Sequence, residues 1–291
     1  MLEKRGISIY AKHQPVPQSL IDTYDGTYLV PSAVQHTHFY GNSLTITADT
    51  TDGKGHRPVA ADLKYEDGAF LAENGERYFF REIDGNKYLM HEMRGRTIPA
   101  AMKAKDFTPL PEAWMGRMGK RYLVVDQTEQ DMVSHELMTG FTVGALPGFT
   151  GVAVLAFSSL EDADIYGHFE SCVIPVDDQS GRGFLLTPSN GSRDLTDPYF
   201  YVRDGVEYCY AASYLYRDAD TLPVYRGETF AELPEDRQLN AVYQLTEPLK
   251  KLPEVPAGHR LMVLNKEMDP VWDSQVEKEY KEVKEGFISF I

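Results

Sequence analysis

Cysteine is scarce in this chain of 291 residues, which contains only Cys172 and Cys209. A fold that depends on several disulfides is therefore excluded, although these two residues could form a single bridge. Each cysteine lies inside an apolar run, where cysteine usually occurs as a small buried thiol. We expect two buried thiols rather than a disulfide.

Long hydrophobic runs are also missing, and no stretch approaches the roughly 18 apolar residues that span a bilayer. The N-terminal residues Met1–His13 contain no apolar segment of the signal-peptide type. These absences predict a soluble chain without a transmembrane segment. The chain ends on the apolar stretch Gly286–Ile291. Because an exposed apolar edge promotes aggregation, we expect a fragment of a larger parent protein, which could be extracytoplasmic.

Basic residues are outnumbered, with 29 Lys and Arg against 44 Asp and Glu, which gives a formal net charge of -15. A field of this sign repels phosphate backbones, and no basic cluster with interleaved aromatic residues offsets it. We therefore expect no nucleic-acid partner for this chain.

The common catalytic motifs are absent as well. The sequence contains no Ser-x-x-Lys or Gly-x-Ser-x-Gly element for acyl transfer, and no glycine-rich phosphate-binding loop. Two His-Glu pairs do not complete the zinc-protease motif His-Glu-x-x-His, since the fifth position is Gly95 in one and Thr139 in the other. We therefore predict no catalytic residue and no cofactor.

Strand and turn signals dominate what remains. Leu44, Ile46 and Ala48 alternate with polar residues, as in a strand with one buried face. Dipeptides that favour tight hairpin turns follow at Asp67-Gly68, Asn74-Gly75 and Asp84-Gly85. A further dipeptide of this kind, Asp204-Gly205, separates two runs rich in tyrosine. We predict an antiparallel meander from Leu44 to Met93.

A pattern near the N-terminus is used again in the middle of the chain. Tyr24–Tyr28 and Met118–Tyr122 each place a glycine-containing turn before a β-favouring run that begins with tyrosine. We predict a lead-in over residues 1–15, a first β-barrel-like module over residues 16–108 and a second, larger one over residues 109–291. The predicted fold is mainly β, with two antiparallel β-barrel-like modules and a few short helices.

Two segments have the apolar spacing of helices. Leu20, Ile21 and Tyr24 would share one face of a short helix after Pro17. Near the C-terminus, four apolar side chains recur at helical intervals: Trp272, Val276, Tyr280 and Val283. We predict a short helix at each place.

Two histidines form the nearest approach to a metal site. His36 and His38 are two residues apart, which places both imidazoles on one face of a strand. They could share a metal ion, but no third ligand can be identified from the sequence. The alternative is a polar strand face without a metal, and we predict no complete metal site.

Tyrosines recur after the last of these turns, and alternation along a strand puts Tyr208, Tyr210, Tyr214 and Tyr216 on one face. An exposed tyrosine face can bind a ligand or a partner domain, because the rings give rigid area and a polar tip. The alternative is that the rings fill a barrel core. Arg193, between two turn signals, could anchor a loop through a buried ion pair or line a pocket.

Four stretches of the sequence carry a family resemblance. They are Pro17–Tyr28, Ala113–Val125 (Ala-Trp-x-x-Arg-x-Gly-Lys-x-Tyr-Leu-Val-Val), Ser192–Leu195 and Gly286–Ile291. Together they resemble the C-terminal region of bacterial serine hydrolases of the β-lactamase/penicillin-binding type. In those proteins a catalytic domain with a Ser-x-x-Lys nucleophile is followed by lipocalin-like β-barrel domains. This chain lacks the catalytic domain, so no catalytic residue is carried over.

The resemblance implies a non-catalytic accessory region. It would pack on the N-terminal catalytic domain of the same parent chain, shape access to its site or mediate assembly. Apart from the resemblance, we expect the basic residues Arg117, Lys120 and Arg121 to anchor the interface between the two modules rather than to contact a substrate. The alternative is a small-molecule binding protein of the lipocalin type, with an apolar cavity inside a barrel.

Overall fold

The computed structural model describes residues 13–30, 33–49, 55–105, 107–127, 137–162, 165–183, 197–234, 237–276 and 279–291. These residues form a mainly β structure, which confirms the predicted fold class. They divide into two compact units, the first ending at Lys105 and the second containing the residues from Phe107 onward. No helix in the described ranges has the length and apolar character needed to cross a bilayer.

The first unit is a closed antiparallel barrel of eight strands. In chain order they are β1 (Gly26–Val30), β2 (Ala33–Tyr40), β3 (Ser43–Asp49), β4 (His56–Glu66), β5 (Ala69–Leu71), β6 (Arg77–Ile83), β7 (Asn86–Met93) and β8 (Arg96–Lys103). Each strand pairs with the next, and β8 returns to β1, where Met102 lies opposite Leu29. The predicted meander from Leu44 to Met93 is confirmed as part of this ring.

The tight turns of the first barrel follow from their dipeptides. The two residues of Asp67-Gly68 have φ of 47° and 81°, and those of Asp84-Gly85 have φ of 51° and 73°. These are the positive values that a type I′ turn requires. Asn74-Gly75 differs, because it lies in a longer connection in which the Ala72 N–H donates to the Glu76 carbonyl oxygen at 2.9 Å.

Apolar side chains of the first unit fill the interior of its barrel. Those at most 1% exposed include Tyr28, Leu44, Ile46, Leu63, Phe70, Leu89 and Ala101. The predicted helix after Pro17 is present as α1 (Gln18–Tyr24), and its Leu20 and Ile21 pack against this core. Tyr24 stacks on Phe80, with ring centroids 4.7 Å apart.

The second unit contains a further eight-stranded sheet, which is nearly closed into a barrel. Its strands are β9 (Arg121–Val124), β10 (Leu137–Ala145), β11 (Ala153–Asp162), β12 (Ile165–Pro175), β13 (Gly181–Gly183), β14 (Tyr199–Arg203), β15 (Val206–Ala211) and β16 (Tyr214–Asp218). The order β13-β12-β11-β10-β9-β16-β15-β14 is again a meander whose last strand returns to its first. The seam lies between β13 and β14, where Ser180 bridges to Tyr199 and the Phe200 N–H donates to the Gln179 carbonyl at 2.7 Å.

The two units therefore repeat one order of elements. A short helix, α2 (Glu112–Met115), precedes β9 just as α1 precedes β1, and a proline stands before each helix, at Pro17 and Pro111. Tyr28 in β1 and Tyr122 in β9 are both 0% exposed. The glycine turn and leading tyrosine in the sequence thus mark the first strand of each ring.

Large aromatic side chains fill the second barrel. Those less than 2% exposed are Trp114, Tyr122, Phe141, Phe157, Phe200 and Tyr216. Tyr122 stacks on Phe141 at 5.0 Å between centroids, and Trp114 meets Phe200 edge to face at 5.3 Å. Trp114 also donates its indole N–H to the Asp177 carbonyl oxygen at 2.8 Å. These contacts give a solid core.

A separate four-stranded sheet completes the second unit. Its strands β17 (Ala241–Leu245), β18 (Leu261–Asn265), β19 (Pro270–Asp273) and β20 (Gly286–Phe290) are arranged in the order β17-β20-β18-β19. The sheet packs on the outside of the second barrel, where Met262, Leu264 and Phe287 join Leu123 and Val125 in one apolar cluster. The apolar end of the chain is thus buried within this unit.

The helix predicted near the C-terminus is wrong. Trp272 belongs to β19 and pairs with Val263 of β18, while Val283 forms an isolated bridge with Leu249. The apolar spacing of this segment suits a helix, but pairing with a neighbouring strand decides its conformation.

Candidate functional site

The four tyrosines that sequence alternation placed together do not share a face. A tight turn at Ala212-Ser213, with φ of 48° and 68°, separates β15 from β16. In the resulting register Cys209 lies opposite Tyr216, and both are 0% exposed. Tyr214 lies on the same side and packs against the barrel core. Arg193, the other residue singled out, lies outside the described residues.

The tyrosines of β15 instead join those of β14 on the outside of the second barrel. Tyr201 lies opposite Tyr208, and Tyr199 lies opposite Tyr210. Ring centroids are 5.6 Å apart for Tyr201 and Tyr208 and 6.2 Å apart for Tyr199 and Tyr201. Tyr199 and Tyr210 are 48% and 50% exposed. Tyr208 packs partly against the apolar cluster that joins the second barrel to the four-stranded sheet. We call these four residues the tyrosine face.

Behind the tyrosine face, the same two strands turn Phe200 and Cys209 inward. Burial raises the pKa of the Cys209 thiol well above its ordinary value. Since the thiolate is the nucleophilic form, this cysteine is unsuited to attack a substrate. Cys172 and Cys209 are both buried thiols, as expected from the sequence.

An ionic network lies inside the second barrel around Glu207. Its Oε1 atom accepts from Arg117 Nε at 2.9 Å, and its Oε2 atom accepts from the Tyr122 hydroxyl at 2.6 Å. Lys120 Nζ lies 3.3 Å from Glu207 Oε2 and 2.9 Å from Asp218 Oδ2. The side chains of Arg117 and Glu207 are only 8% and 16% exposed. We call this group the Glu207 network.

The surroundings of Glu207 favour its charged form. Burial alone would raise the pKa of this carboxyl, but the Tyr122 hydrogen bond and the neighbouring Arg117 and Lys120 together lower the pKa below its ordinary value. Burial and then the contact with Glu207 raise the pKa of Tyr122, so its hydroxyl stays protonated and donates. The network is a structural ion pair, with charges matched on both sides.

The sequence suggested that Arg117, Lys120 and Arg121 anchor an interface between modules. The contacts described for them lie within the second unit instead. Arg117 also donates from Nη1 to the Asp178 carbonyl at 2.6 Å and lies over the Phe200 ring at 4.2 Å. Arg121 donates from Nη1 to the Lys266 carbonyl at 2.8 Å. These side chains brace the second barrel and its attached sheet.

A second group of polar side chains lies on the outer face of the first barrel. His36 on β2, Asp49 on β3 and His56 on β4 have side chains 22%, 42% and 59% exposed. Asp49 Oδ1 is 3.0 Å from His36 Nε2 and 2.8 Å from His56 Nδ1. One ligand atom from each residue lies within 4.8 Å of the other two. We call these three residues the histidine cluster.

His38 shares the outer face of β2 with His36, as predicted, but it does not belong to the histidine cluster. Its ring stacks beside that of His36 with centroids 6.3 Å apart. Its Nε2 atom faces the Thr47 hydroxyl at 3.5 Å. Sequence reasoning found one member of the cluster and missed Asp49 and His56, which come from two other strands.

Pockets give little support to the small-molecule alternative. A cavity of about 10 Å³ lies between the second barrel and the four-stranded sheet, lined by Leu123, Met262 and Leu264 among others. This is room for about one water molecule. A second depression, open to solvent and with a volume of about 330 Å³, is lined by Tyr225, Leu245 and Leu249 among others. Both lie away from the barrel interiors, which apolar side chains occupy.

One of the four stretches that carry the family resemblance, Ala113–Val125, supplies side chains that stabilise the second barrel. Trp114 and Tyr122 belong to its core, and Arg117 and Lys120 belong to the Glu207 network. None of these four is presented to solvent as a substrate-binding group would be; Lys120, the most exposed of them, has a side chain 34% exposed. Comparisons of the chain with protein-family models, with curated proteins and with solved structures found no match.

Proposed function

We propose that this chain is a non-catalytic accessory region of a serine hydrolase of the β-lactamase/penicillin-binding type, and that it packs on the catalytic domain or modulates access to its site. The partner class is taken from the four stretches of sequence that resemble such proteins. Contact through the outer surface, rather than through a barrel cavity, is proposed because side chains fill the interiors of both barrels.

The observation that carries the proposal is the solid interior of both barrels. A lipocalin-type carrier needs an apolar cavity within its barrel. Here Phe70 and Phe141, both 0% exposed, stand among many side chains that occupy that space. A barrel filled in this way acts through its outside, as a rigid body that presents a surface to another domain.

The tyrosine face is the surface that we assign to contact with the catalytic domain. Tyr199 and Tyr210 are about half exposed. Tyrosine combines a large apolar ring with a hydroxyl that can remain hydrogen-bonded, and it is enriched in protein interfaces. The rings lie on paired strands of a sheet, so little conformational entropy is lost when a partner covers them.

Without a catalytic domain, the purified chain is expected to show no acyl-transfer activity. Incubation with a fluorescent penicillin should leave no covalent label, and nitrocefin should be hydrolysed no faster than with a heat-denatured sample. Label or turnover well above that control would contradict the non-catalytic assignment and would direct attention to an unrecognised nucleophile.

Replacing Tyr199 and Tyr210 together by alanine is expected to weaken binding to the catalytic domain by about 10-fold to 100-fold, because central interface tyrosines often carry more than 1 kcal/mol each. The partner is the domain encoded in frame upstream of Met1, expressed separately and titrated by calorimetry. Tyr40→Ala is the matched control, since Tyr40 is 66% exposed on the first barrel. Equal affinities for all three proteins would exclude the tyrosine face, and an upstream frame without a Ser-x-x-Lys domain would contradict the proposed partner.

A further inference from the structure

We propose that the histidine cluster, formed by His36, Asp49 and His56, is a binding site for a divalent first-row transition-metal ion. The donor set is two imidazole nitrogens and one carboxylate oxygen. Imidazole ligands suit zinc and its neighbours, whereas calcium and magnesium prefer sites made of oxygen alone. This site is separate from the tyrosine face and does not depend on the proposed hydrolase partner.

Strand register brings the three ligands together. Asp49 lies directly opposite His56 in the pairing of β3 with β4. His36 lies opposite Thr47 in the pairing of β2 with β3, and Asp49 is the next residue of β3 that points to the same face. Ligands held on neighbouring strands of a closed barrel are positioned more rigidly than ligands on loops.

The distances fit a shared ion. Zinc binds histidine nitrogen and carboxylate oxygen at about 2.0–2.2 Å, so two ligands of a tetrahedral site are about 3.3 Å apart. Asp49 Oδ1 is 3.0 Å from His36 Nε2 and 2.8 Å from His56 Nδ1, and all three ligand atoms lie within 4.8 Å of one another. Small side-chain movements are enough to place an ion between them. The side chains of Asp49 and His56 are 42% and 59% exposed, so solvent reaches these two ligands.

A neighbouring hydroxyl orients one of the ligands. Thr27 lies directly opposite His36 in the pairing of β1 with β2, and its Oγ1 atom is 3.3 Å from His36 Nδ1. The contact with Thr27 fixes the Nδ1 side of the His36 ring, so that the Nε2 atom points towards Asp49. Outer partners of this kind fix the ring orientation of metal-binding histidines. The net charge of -15 also favours the approach of a cation.

The test is a calorimetric titration of the full, metal-free chain, purified without a histidine tag, with zinc chloride. We expect one ion bound per chain. Asp49→Asn and His56→Gln should each weaken binding at least about 100-fold, and Thr27→Val by about 10-fold, since outer partners of metal ligands are typically worth 10-fold to 100-fold. Circular dichroism in the absence of zinc checks that each variant keeps the wild-type fold.

His38→Gln is the matched control, because His38 lies on the same strand face beside His36 but its Nε2 atom faces Thr47. Its zinc affinity should equal that of the wild type within about threefold. Absence of saturable one-to-one binding would overturn the proposal and leave the cluster as a hydrogen-bonded group. Loss of binding in His38→Gln with retention in His56→Gln would also overturn it, in favour of a site at His36 and His38 alone.

Discussion

Replacing Glu207 by alanine is expected to destabilise the second unit by about 3–5 kcal/mol, the usual result of removing one partner of a buried ion pair. Arg117 would keep its charge in a side chain only 8% exposed, and the Tyr122 hydroxyl would lose the oxygen that it donates to at 2.6 Å. Urea unfolding followed by tryptophan fluorescence measures the loss, because both tryptophans, Trp114 and Trp272, lie in the second unit.

Glu207→Gln is the control for shape, because glutamine keeps an oxygen for the Tyr122 hydroxyl and loses only the charge. Its stability at neutral pH should lie between those of the wild type and the alanine variant. The folded protein lowers the pKa of Glu207 below its ordinary value of 4.5. The stability that its charge contributes is therefore present above about pH 4.5 and is lost as the pH falls through the lowered pKa.

The difference in stability between the wild type and Glu207→Gln should accordingly shrink as the solution is acidified below pH 4.5. A difference that stays constant from pH 7 to pH 3 would show that the charge of Glu207 does not contribute to stability. An alanine variant as stable as the wild type would contradict the assignment of this network as a structural ion pair.

Replacing Gly151 by alanine is expected to cost about 2–5 kcal/mol, from two separate effects. Gly151 has a φ of +77°, a left-handed conformation that costs a residue with a Cβ about 1–2 kcal/mol. The added Cβ would also lie 2.1 Å from the Thr108 carbonyl oxygen. That contact forces the backbone to shift, and overpacking of this kind typically costs about 1–3 kcal/mol more.

Gly148→Ala separates the two effects. Gly148 has nearly the same backbone conformation, with a φ of +79°, but an added Cβ would meet no heavy atom within 4 Å. Its loss of stability should be limited to the conformational cost of about 1–2 kcal/mol. Tryptophan fluorescence during urea unfolding compares both variants with the wild type. Equal losses would mean that the approach to Thr108 imposes no additional strain.

Much of the fold could be predicted because its signals are local. Alternation in β3 and the dipeptides Asp67-Gly68, Asp84-Gly85 and Asp204-Gly205 each act over a few residues, and the structure confirms them. The turn at Ala212-Ser213 was missed, since neither residue is a usual turn former with positive φ. That omission merged β15 and β16 into one strand and placed the tyrosines on a single face.

The candidate sites depend on contacts that sequence spacing does not contain. His36 could be noticed beside His38, but Asp49 and His56 come from two further strands and meet it only through the register of three strands. The register of β3 with β4 is irregular between Leu44 and Ile46 and again between Ile46 and Thr47, so hydrophobic alternation alone does not give this pairing. Glu207 gave no signal of its own, because its partner Arg117 is distant in the chain and approaches only when the second barrel closes.

The two barrels differ in where their strand pairings join segments that are distant in the chain. In the first barrel, seven pairings join consecutive strands, and only the pairing of β1 with β8 brings together distant segments. Hairpins close short loops at small entropic cost, whereas the pairing of distant segments must offset the entropy of a long loop. In the second barrel the pairing of β9 with β16 is the distant one, and the seam, crossed by the Ser180–Tyr199 bridge, lies between the consecutive strands β13 and β14. The second ring therefore joins its most distant strands, β9 and β16, by regular antiparallel pairing, and its seam falls between strands that are neighbours in the chain order.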